Sequence, residues 1–339
     1  MKGKLLVLLI ALLLLVSCGQ TTPSGDNSKT IDDLKVVFVP SRDAKDIEAS
    51  TEPLKGLLTS ELKEAGYDVK KVSIETMTSY EAAGEALSAG SAHIGLIPGG
   101  TYAAYYDKGV KVVLASTRNG LKYDDVDGQA WNTGEANENN TDVVTYYRGI
   151  IVAGPSEKGQ AVAAKAKEGT LAWEDVSTAK WCVQSETSGS GYQYPALWLF
   201  DNFEKSFPDM KENLVPTQGY GAAVASLANE QCDIAPGFND IRMGDPATAW
   251  VEEYDRENIW TETSVIGSTD KIQNDTVSVS SEMVDDELAD AIADAFINLA
   301  KTEEGAEAIK IYNHTGYMKV TDADYEGAKK VNELVKSWN

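Results

Sequence analysis

The sequence contains few basic residues and very few histidines. Lysine and arginine together number 30 against 53 aspartates and glutamates, and the formal net charge is −23 at pH 7. Nucleic-acid binding rests on clustered lysine and arginine, so this composition argues against a nucleic-acid partner. Neither of the two histidines, His93 and His314, lies in a loop that follows a predicted strand. Because a Ser-His-Asp triad needs a base beside its serine, the sequence does not favour a hydrolase.

Motifs for metals, nucleotides and cofactors are also absent. There is no C-x-x-C, no H-E-x-x-H and no G-K-[ST] in the chain, which are local signs of zinc and phosphate sites. Gly189 and Gly191 are followed by Tyr194 where a dinucleotide fingerprint would place a third glycine. The run at 188–191 also lacks the first glycine of a G-x-S-x-G elbow. We therefore predict no metal, no cofactor and no enzymatic activity.

Long apolar runs are absent except at the start of the chain. Two lysines precede an apolar run over 5–16, which is shorter than the roughly 20 residues of a membrane-spanning helix. This pattern indicates a secretory signal over 1–18. Leu15–Cys18 resembles the bacterial lipobox, which implies cleavage before Cys18 and a lipid on its thiol; a plain signal peptide is the alternative. The polar stretch 19–30 is interpreted as a flexible tether.

Cysteine is scarce, and two residues remain in the expected mature chain. Cys182 and Cys232 each lie at a predicted strand. An extracytoplasmic compartment is oxidising, yet a buried cysteine often packs simply as a small apolar side chain. We favour two buried thiols over a disulfide and leave the pairing open.

Short apolar runs alternate with amphipathic segments along most of the chain, which predicts an α/β fold. The pattern starts again after the middle of the chain, so we predict two lobes, each a mainly parallel sheet flanked by helices. The predicted strands are 34–40, 68–74, 93–98, 110–117, 146–154, 180–185, 213–218, 232–238, 261–267 and 275–280. The predicted helices include 51–66, 78–90, about 285–301 and about 322–337.

The segment between the two halves has a different composition. Residues 121–142 are acidic, rich in asparagine and glycine and aperiodic, which indicates a surface loop. Trp131 within it could cover a cleft, but local packing is the simpler interpretation. The predicted organisation is 31–120 for the first lobe, 121–145 for a crossover, 146–272 for the second lobe and 273–339 for a return strand with helices that pack on the first lobe.

An internal match supports two similar lobes. Residues 80–100 align with 220–240 without a gap, and the alignment places Tyr80 over Tyr220. Each copy reads as a helix followed by the third strand of its half. The match is weak and rich in alanine, so its position in the two halves carries more weight than the identities.

Hydroxyl side chains and glycines follow the predicted strands in both halves. Ligands of open parallel sheets bind outside the carboxyl ends of the strands, and helix N-termini favour anions. Residues 185–195 place serines and glycines between a strand and a helix-compatible run, and 78–83 place a threonine and a serine in the same position in the first half. An oxyanion held between two such N-termini needs no lysine or arginine. The alternative is that both stretches are ordinary helix caps.

These motifs resemble the phosphate-, phosphite- and phosphonate-binding proteins of bacterial ABC importers. The resemblance runs from about residue 35 to beyond 279, and it rests on FVPSRDA, TSYEAAGEALSAGSAHIGLIPGGTYAAY, YYRGIIV, SGSGYQYP, GYGAAVASLANEQCDIA and NDTVSVS. It implies a class II periplasmic binding protein that holds a small phosphorus oxyanion between two lobes and delivers it to a membrane permease. We expect a monomer that is anchored to the cell membrane through Cys18.

The resemblance also implies ligand-binding residues. The family's Ser-Thr-Ser-Gly turn aligns with 188–191, so Gly189 replaces one hydroxyl, and Tyr220 stands where many members have histidine. Asp240 would accept a hydrogen bond from a protonated oxygen or an amine. The expected ligand-binding residues are Ser41, Ser79, Tyr80, Thr101, Tyr102, Ser188, Gly189, Ser190, Gly191, Tyr192, Tyr220, Asn239 and Asp240. The alternatives are a receptor of the same fold for another small polar solute and a sensor module that signals to a membrane kinase.

Overall fold

The computed structural model describes residues 29–338. The predicted signal peptide, Cys18 and nearly all of the tether lie outside these residues. Within 29–338, no helix combines the length and the apolar character that crossing a membrane requires.

Strands and helices alternate along the described chain, as the sequence predicts. The strands are β1 (Lys29–Ile31), β2 (Leu34–Phe38), β3 (Tyr67–Val69), β4 (Val72–Thr76), β5 (Ile94–Ile97), β6 (Val110–Leu121), β7 (Asn139–Val144), β8 (Tyr146–Ala153), β9 (Trp181–Val183), β10 (Leu214–Pro216), β11 (Ile234–Phe238), β12 (Ser264–Gln273), β13 (Thr276–Ser280) and β14 (Gly316–Lys319). The helices are α1 (Ala44–Thr51), α2 (Leu54–Glu64), α3 (Tyr80–Ser88), α4 (Gly99–Tyr105), α5 (Glu157–Glu168), α6 (Trp173–Ser177), α7 (Tyr194–Phe203), α8 (Tyr220–Ala228), α9 (Asp245–Glu252), α10 (Ile259–Glu262), α11 (Asp286–Leu299), α12 (Glu303–Ile309) and α13 (Glu326–Trp338).

The first lobe is built on a seven-stranded sheet within the described residues. Strand β2 pairs in parallel with β4 and β5, and β13 inserts between β5 and β6, antiparallel to both. Leu58 of α2 and Phe296 of α11 pack in one core with Val36 of β2. Because β13 returns from the end of the chain in the opposite direction, this sheet is mixed rather than mainly parallel.

The second lobe has five strands in the order β10-β9-β11-β8-β12. Strands β9, β10 and β11 run in parallel, whereas β8 is antiparallel to both β11 and β12. The sheet is again mixed. The two-lobed α/β architecture agrees with the prediction. The strand directions differ from the predicted mainly parallel arrangement, because β8 follows the crossover and runs antiparallel to its neighbours.

The last helix departs from the expected packing on the first lobe. Helix α11 does pack on α2 of the first lobe, but Val335 of α13 lies in the core of the second lobe. Trp338 also stacks on Phe200 of α7, with ring centroids 4.6 Å apart. Asn332 bridges the lobes, since its side chain contacts the Ala103 carbonyl at 3.1 Å and Gln193 at 3.0 Å. Helix α13 therefore contacts both lobes.

The segment predicted as a surface loop contains regular structure. A 3₁₀ turn covers Gly128–Trp131, and β7 pairs with β6 in the first sheet. The side chain of Trp131 is 2% exposed, and its Nε1 donates to the Asp125 carbonyl at 2.9 Å. Local packing of Trp131 is thus confirmed.

The preference for two free thiols was wrong. Cys182 and Cys232 form a disulfide, with their Cα atoms 5.7 Å apart, a normal span for this bond. Strand pairing brings the cysteines together, because Trp181 of β9 is in register with Ile234 of β11. Residues 50 positions apart in the sequence meet only through this pairing.

Loss of this disulfide is expected to lower the free energy of unfolding by about 4 kcal/mol, because the bond closes a long loop in the unfolded chain. Urea unfolding of the Cys182→Ala/Cys232→Ala variant, followed by tryptophan fluorescence, measures the change. Wild-type protein under strong reductant is the parallel sample, and the variant under the same reductant controls for solvent effects. The prediction would be contradicted if the variant and the reduced wild type both had the urea midpoint of the oxidised wild type.

Candidate functional site

A cavity of about 40 Å³ lies between the two sheets. This volume holds roughly three water molecules, so the cavity in this conformation fits a small polar group. Its apolar wall comes from Val39, Leu96 and Pro98 of the first lobe, and its opposite wall includes Ser188 and Gly189 of the second lobe.

The turn after β9 forms the second-lobe wall. Ser188 caps a π-helical turn over Gly189–Gln193 that leads directly into α7, and its Oγ accepts from the Gly191 N–H at 3.2 Å. Gly191 has to be glycine, since a Cβ there would lie 2.3 Å from Cγ of Gln184. Ser188 and Ser190 also share hydrogen bonds with the Tyr220 hydroxyl, at 3.3 and 2.9 Å. The turn thus presents clustered hydroxyl and N–H groups at a helix start.

Two tyrosines related by the internal match face the same cavity. Tyr80 is the first residue of α3 and Tyr220 is the first residue of α8, and both line the cavity. Burial raises the pKa of both phenols above its usual value. Each hydroxyl therefore stays protonated and is a neutral hydrogen-bond donor.

Two arginines line the cavity, and neither was among the predicted site residues. Arg118 is 4% exposed, and its guanidinium packs against the rings of Tyr147 and Phe238, at 5.2 and 5.6 Å from their centroids. Its Nε and Nη1 have no hydrogen-bond partner within residues 29–338. Arg42 also forms no hydrogen bond or ion pair in this part of the chain, and burial lowers the pKa of its guanidinium.

A carboxylate and a histidine complete the charged groups of the cavity. Arg118 Nη2 donates to Oδ2 of Asp275 at 2.5 Å, and His314 Nε2 donates to the same oxygen at 3.1 Å. Burial opposes ionisation of Asp275, but the Arg118 charge and the His314 hydrogen bond outweigh it, so the pKa of Asp275 is lowered. Burial lowers the pKa of His314 and keeps it neutral. Two positive charges and one negative charge therefore face the cavity, and this balance favours an anion.

The structure brings only part of the predicted set to the cavity. Ser41, Tyr80, Ser188, Gly189 and Tyr220 line it. Ser190 and Gly191 lie behind the lining in the same turn, where Ser190 supports the Tyr220 hydroxyl.

The other predicted residues have different surroundings. Ser79 caps α3 by accepting from the Ala82 N–H, and Thr101 contacts Thr187 of the second lobe at 3.4 Å. Tyr102 donates to Asp322, Tyr192 packs on Phe207, and Asn239 has a left-handed backbone with φ of 46°.

Asp240 does not reach the cavity either. It forms a bidentate ion pair with Arg242, with both N–O distances at 2.8 Å, and both side chains are almost fully buried. Its hydrogen-bonding capacity toward a ligand is therefore used within the protein.

The predicted site residues did not include Arg42, Arg118, Asp275 or His314. The signal for Arg118 was present, because the residue directly follows the predicted strand 110–117, at its carboxyl end. Asp275 precedes its strand, and β13 runs antiparallel to β5, so only the sheet topology places Asp275 at the edge that lines the cavity. His314 reaches the same edge through the turn before β14.

The buried histidines make stability depend on pH. The pKa of His314 lies below its unfolded value of about 6.5, so the unfolded chain takes up a proton below that pH while the folded chain does not. His314 is therefore expected to lower the free energy of unfolding as pH drops from 6.5, by up to about 1.4 kcal/mol per pH unit. Burial shifts the pKa of His93 in the same direction.

Urea unfolding at several pH values between about 5 and 7.5 checks this prediction. His314→Gln is expected to show a smaller loss of stability toward acid than wild type, and His93→Gln is the matched comparison for the other buried imidazole. A free energy of unfolding that stays constant or increases toward pH 5 in the wild type would contradict the assignment. Asp275 contributes only below about pH 4, since its unfolded pKa is near 3.9.

Comparison with known proteins identifies similar chains. A family model described as "ABC transporter, phosphonate, periplasmic substrate-binding protein" matches residues 36–325. A binding protein component of an ABC phosphonate transporter from Pseudomonas aeruginosa is 11% identical with a TM-score of 0.65, over 91% of this chain and 87% of that one. No curated protein matches the chain.

Two further solved structures have the same fold. PhnD1 from Prochlorococcus marinus, in complex with methylphosphonate, is 12% identical with a TM-score of 0.63, over 90% of this chain and 98% of that one. Mh-p37 from Mycoplasma hyorhinis, a putative thiamine pyrophosphate transporter, is 14% identical with a TM-score of 0.63, over 90% and 99% of the two chains. At these identities the structures establish a shared fold.

Proposed function

The chain belongs to the periplasmic substrate-binding proteins of phosphonate ABC transporters, and we propose that its cleft binds a small phosphorus oxyanion. The observation that carries this proposal is the meeting of the Ser188 turn with Arg42 and Arg118 at one small cavity. Burying an anion is costly unless donors surround it. Here hydroxyls, N–H groups and two guanidinium groups supply those donors.

The roles of the individual residues follow from this geometry. Ser188 and the N–H groups of its turn would hold oxygens from the second lobe, as helix starts do for phosphate. Tyr80 and Tyr220 would donate as neutral phenols, and Arg118 would supply charge. The apolar wall at Val39 and Leu96 would face a hydrogen or alkyl substituent on phosphorus.

The cellular role proposed here is delivery of the ligand to a membrane permease. Family members are transport proteins that present a substrate to such a permease, and we assign this chain no enzymatic activity. We further propose a monomer tethered by a lipid on Cys18, with 31–120 and 146–272 as the lobes that close on the ligand. The crossovers at 121–145 and from 273 onward would be the hinges.

Calorimetric titration and thermal unfolding with phosphate, phosphite, methylphosphonate and 2-aminoethylphosphonate test the proposal. A ligand at about 1,000 times its Kd should stabilise the protein by about 4 kcal/mol. Ser188→Ala/Ser190→Ala is expected to weaken binding by at least about tenfold. The Ser188 hydroxyl lines the cavity and the Ser190 hydroxyl supports that of Tyr220, and each hydrogen bond contributes about 1 kcal/mol. Ser337→Ala, on the exposed end of α13, is the matched control. Absence of stabilisation by all four ligands would overturn the proposal.

A further inference from the structure

The carboxylate of Asp275 has one oxygen engaged and one without a protein partner. Oδ2 accepts from both Arg118 and His314. Oδ1 forms no hydrogen bond within residues 29–338, while the side chain lines the cavity and keeps 16% of its surface exposed. A carboxylate oxygen can only accept a hydrogen bond, so a ligand group that meets Oδ1 has to donate one.

The charges around this carboxylate limit the charge of the ligand. Arg118 of β6 and Arg42 after β2 are the cations of the cavity, and neutral His314 contacts Asp275. Two exposed aspartates, Asp46 and Asp245, act on Arg42 from the surface, where solvent screens them. The surrounding phenols stay protonated because burial raises their pKa. They are Tyr80, Tyr147, Tyr220, Tyr312, Tyr317 and Tyr325.

The described cavity therefore carries a net charge of about one positive unit, with Arg42 and Arg118 against Asp275. A bound anion with one negative charge neutralises it. A dianion would leave one unpaired negative charge in a buried site, and such a charge is costly. The same dianion would also place an unprotonated oxygen against Oδ1 of Asp275.

We propose that the cleft binds its phosphorus oxyanion as the monoanion, whose remaining acidic hydroxyl donates to Oδ1 of Asp275. This inference rests on the proposed function and specifies its ligand as an oxyacid that retains one proton. The unprotonated oxygens would face the Ser188 turn and the free N–H groups of Arg118. Sulfonates of the same shape should bind much more weakly, because they carry the same single charge but have no proton to donate. Asp240 does not take this role, since Arg242 occupies its carboxylate.

Methylphosphonate and methanesulfonate form a matched pair of probes for calorimetric titration of the full mature chain. At a pH where both are monoanions, methanesulfonate is expected to bind at least 100-fold more weakly, because a polar site built for a donor rejects an analogue without it. Above the second pKa of methylphosphonate, its Kd is expected to rise tenfold per pH unit. Titrations in two buffers of different ionisation enthalpy should then show uptake of about one proton per bound ligand.

Asp275→Asn adds a test that a folding defect cannot imitate. The asparagine amide can donate a hydrogen bond, so methanesulfonate is expected to bind more tightly than in wild type. The ratio of the Kd of methanesulfonate to that of methylphosphonate should fall at least tenfold. Asp286→Asn, whose side chain is 91% exposed on α11, carries the same chemical change and should retain the wild-type preference. If Asp275→Asn does not fold, the titrations of wild type with the two probes and at different pH values still test the inference.

The outcomes separate this inference from the proposed function. Equal affinity of wild type for the two probes, or a Kd for methylphosphonate that is independent of pH, overturns the inference alone. The inference is also overturned if Asp286→Asn narrows the preference for methylphosphonate over methanesulfonate. It is overturned as well if folded Asp275→Asn keeps the wild-type preference. If neither methylphosphonate nor phosphate, phosphite or 2-aminoethylphosphonate binds wild type, the proposed function fails and this inference fails with it.

Discussion

Replacing Arg118 by methionine is expected to weaken binding of the phosphorus oxyanion by about 1,000-fold. The substitution removes a buried charge whose Nε and Nη1 have no protein partner, and it leaves Asp275 without its counter-ion. The net charge of the cavity then falls from one positive unit to zero. Loss of one partner of a buried, hydrogen-bonded charge pair costs about 2–5 kcal/mol, and about 4 kcal/mol corresponds to three decades in Kd.

Arg118→Lys tests whether charge alone is sufficient. Lysine keeps the charge but not the planar group that packs between Tyr147 and Phe238. We expect the affinity of Arg118→Lys for the ligand to lie between that of wild type and that of Arg118→Met. Lys122→Met, with its side chain 51% exposed near the end of β6, removes the same charge outside the cavity and should bind as wild type does.

The Arg118→Met variant also buries an unpaired carboxylate, which destabilises the fold. The double variant Arg118→Met/Asp275→Asn removes both charges and should recover most of the lost thermal stability. It should still bind methylphosphonate at least 100-fold more weakly than wild type. Binding by folded Arg118→Met within threefold of wild type would show that this arginine is structural and would contradict the assignment.

Gly100→Ala is expected to weaken ligand binding by about 100-fold through closure of the lobes. Gly100 lies in the first turn of α4, and a Cβ there would lie 2.7 Å from the Thr187 carbonyl and 2.6 Å from Oε1 of Gln193. Both atoms belong to the second lobe, beside the Ser188 turn. A methyl group would therefore hold the lobes apart, and separated lobes cannot surround a ligand.

The other contacts across the cleft support this interpretation. Glu81 of α3 accepts from Thr187 Oγ1 at 3.0 Å and from Ser185, and Gln218 Nε2 donates to the Thr78 carbonyl at 2.9 Å. The substitution at Gly100 should break this set in the closed form and leave each lobe intact. The unfolding midpoint of ligand-free Gly100→Ala should be close to that of wild type. The rise of this midpoint on addition of ligand should be smaller than in wild type.

Titration calorimetry and small-angle scattering measure the two consequences for Gly100→Ala, which are lower affinity and a larger radius of gyration with ligand. Gly221→Ala is the matched control, because a Cβ at that helical position has no neighbour within 4 Å. It should bind within twofold of wild type and gain slight stability, since alanine favours helix over glycine. Wild-type affinity in Gly100→Ala would contradict the role of this contact.

Local patterns in the sequence predicted much of the fold correctly. The gapless match of 80–100 with 220–240 predicted a helix and a strand in each half, and the structure has α3 with β5 and α8 with β11. The predicted helix over 51–66 was less accurate. It contains α2, but α1 was not predicted and already includes Thr51. Pro53 separates the two helices, because proline lacks the N–H that a helix interior needs. Such local features depend on neighbouring residues, so they are visible in a sequence.

The sequence predicted the hydroxyl-rich side of the candidate site but not its charged side. The turn at Ser188 and the paired tyrosines were found because each lies in a local strand-to-helix pattern. The charged side, with Arg118, Asp275 and His314, was missed, and the expectation that no arginine is needed was not supported by the lining of the cavity. These residues come from β6, from the loop before β13 and from the turn before β14, and no short motif joins them.

The sequence by itself determined the α/β class, the two similar halves and the hydroxyl-rich turn, because periodicity and capping act over a few residues. Only the tertiary structure decided the disulfide, the mixed sheets and the charge of the cavity. For the charge of the cavity, the physical reason is the antiparallel insertion of β13 between β5 and β6, which carries Asp275 from late in the chain to the edge where β2 and β5 end. Strand pairing over such separations is set by burial of the whole sheet.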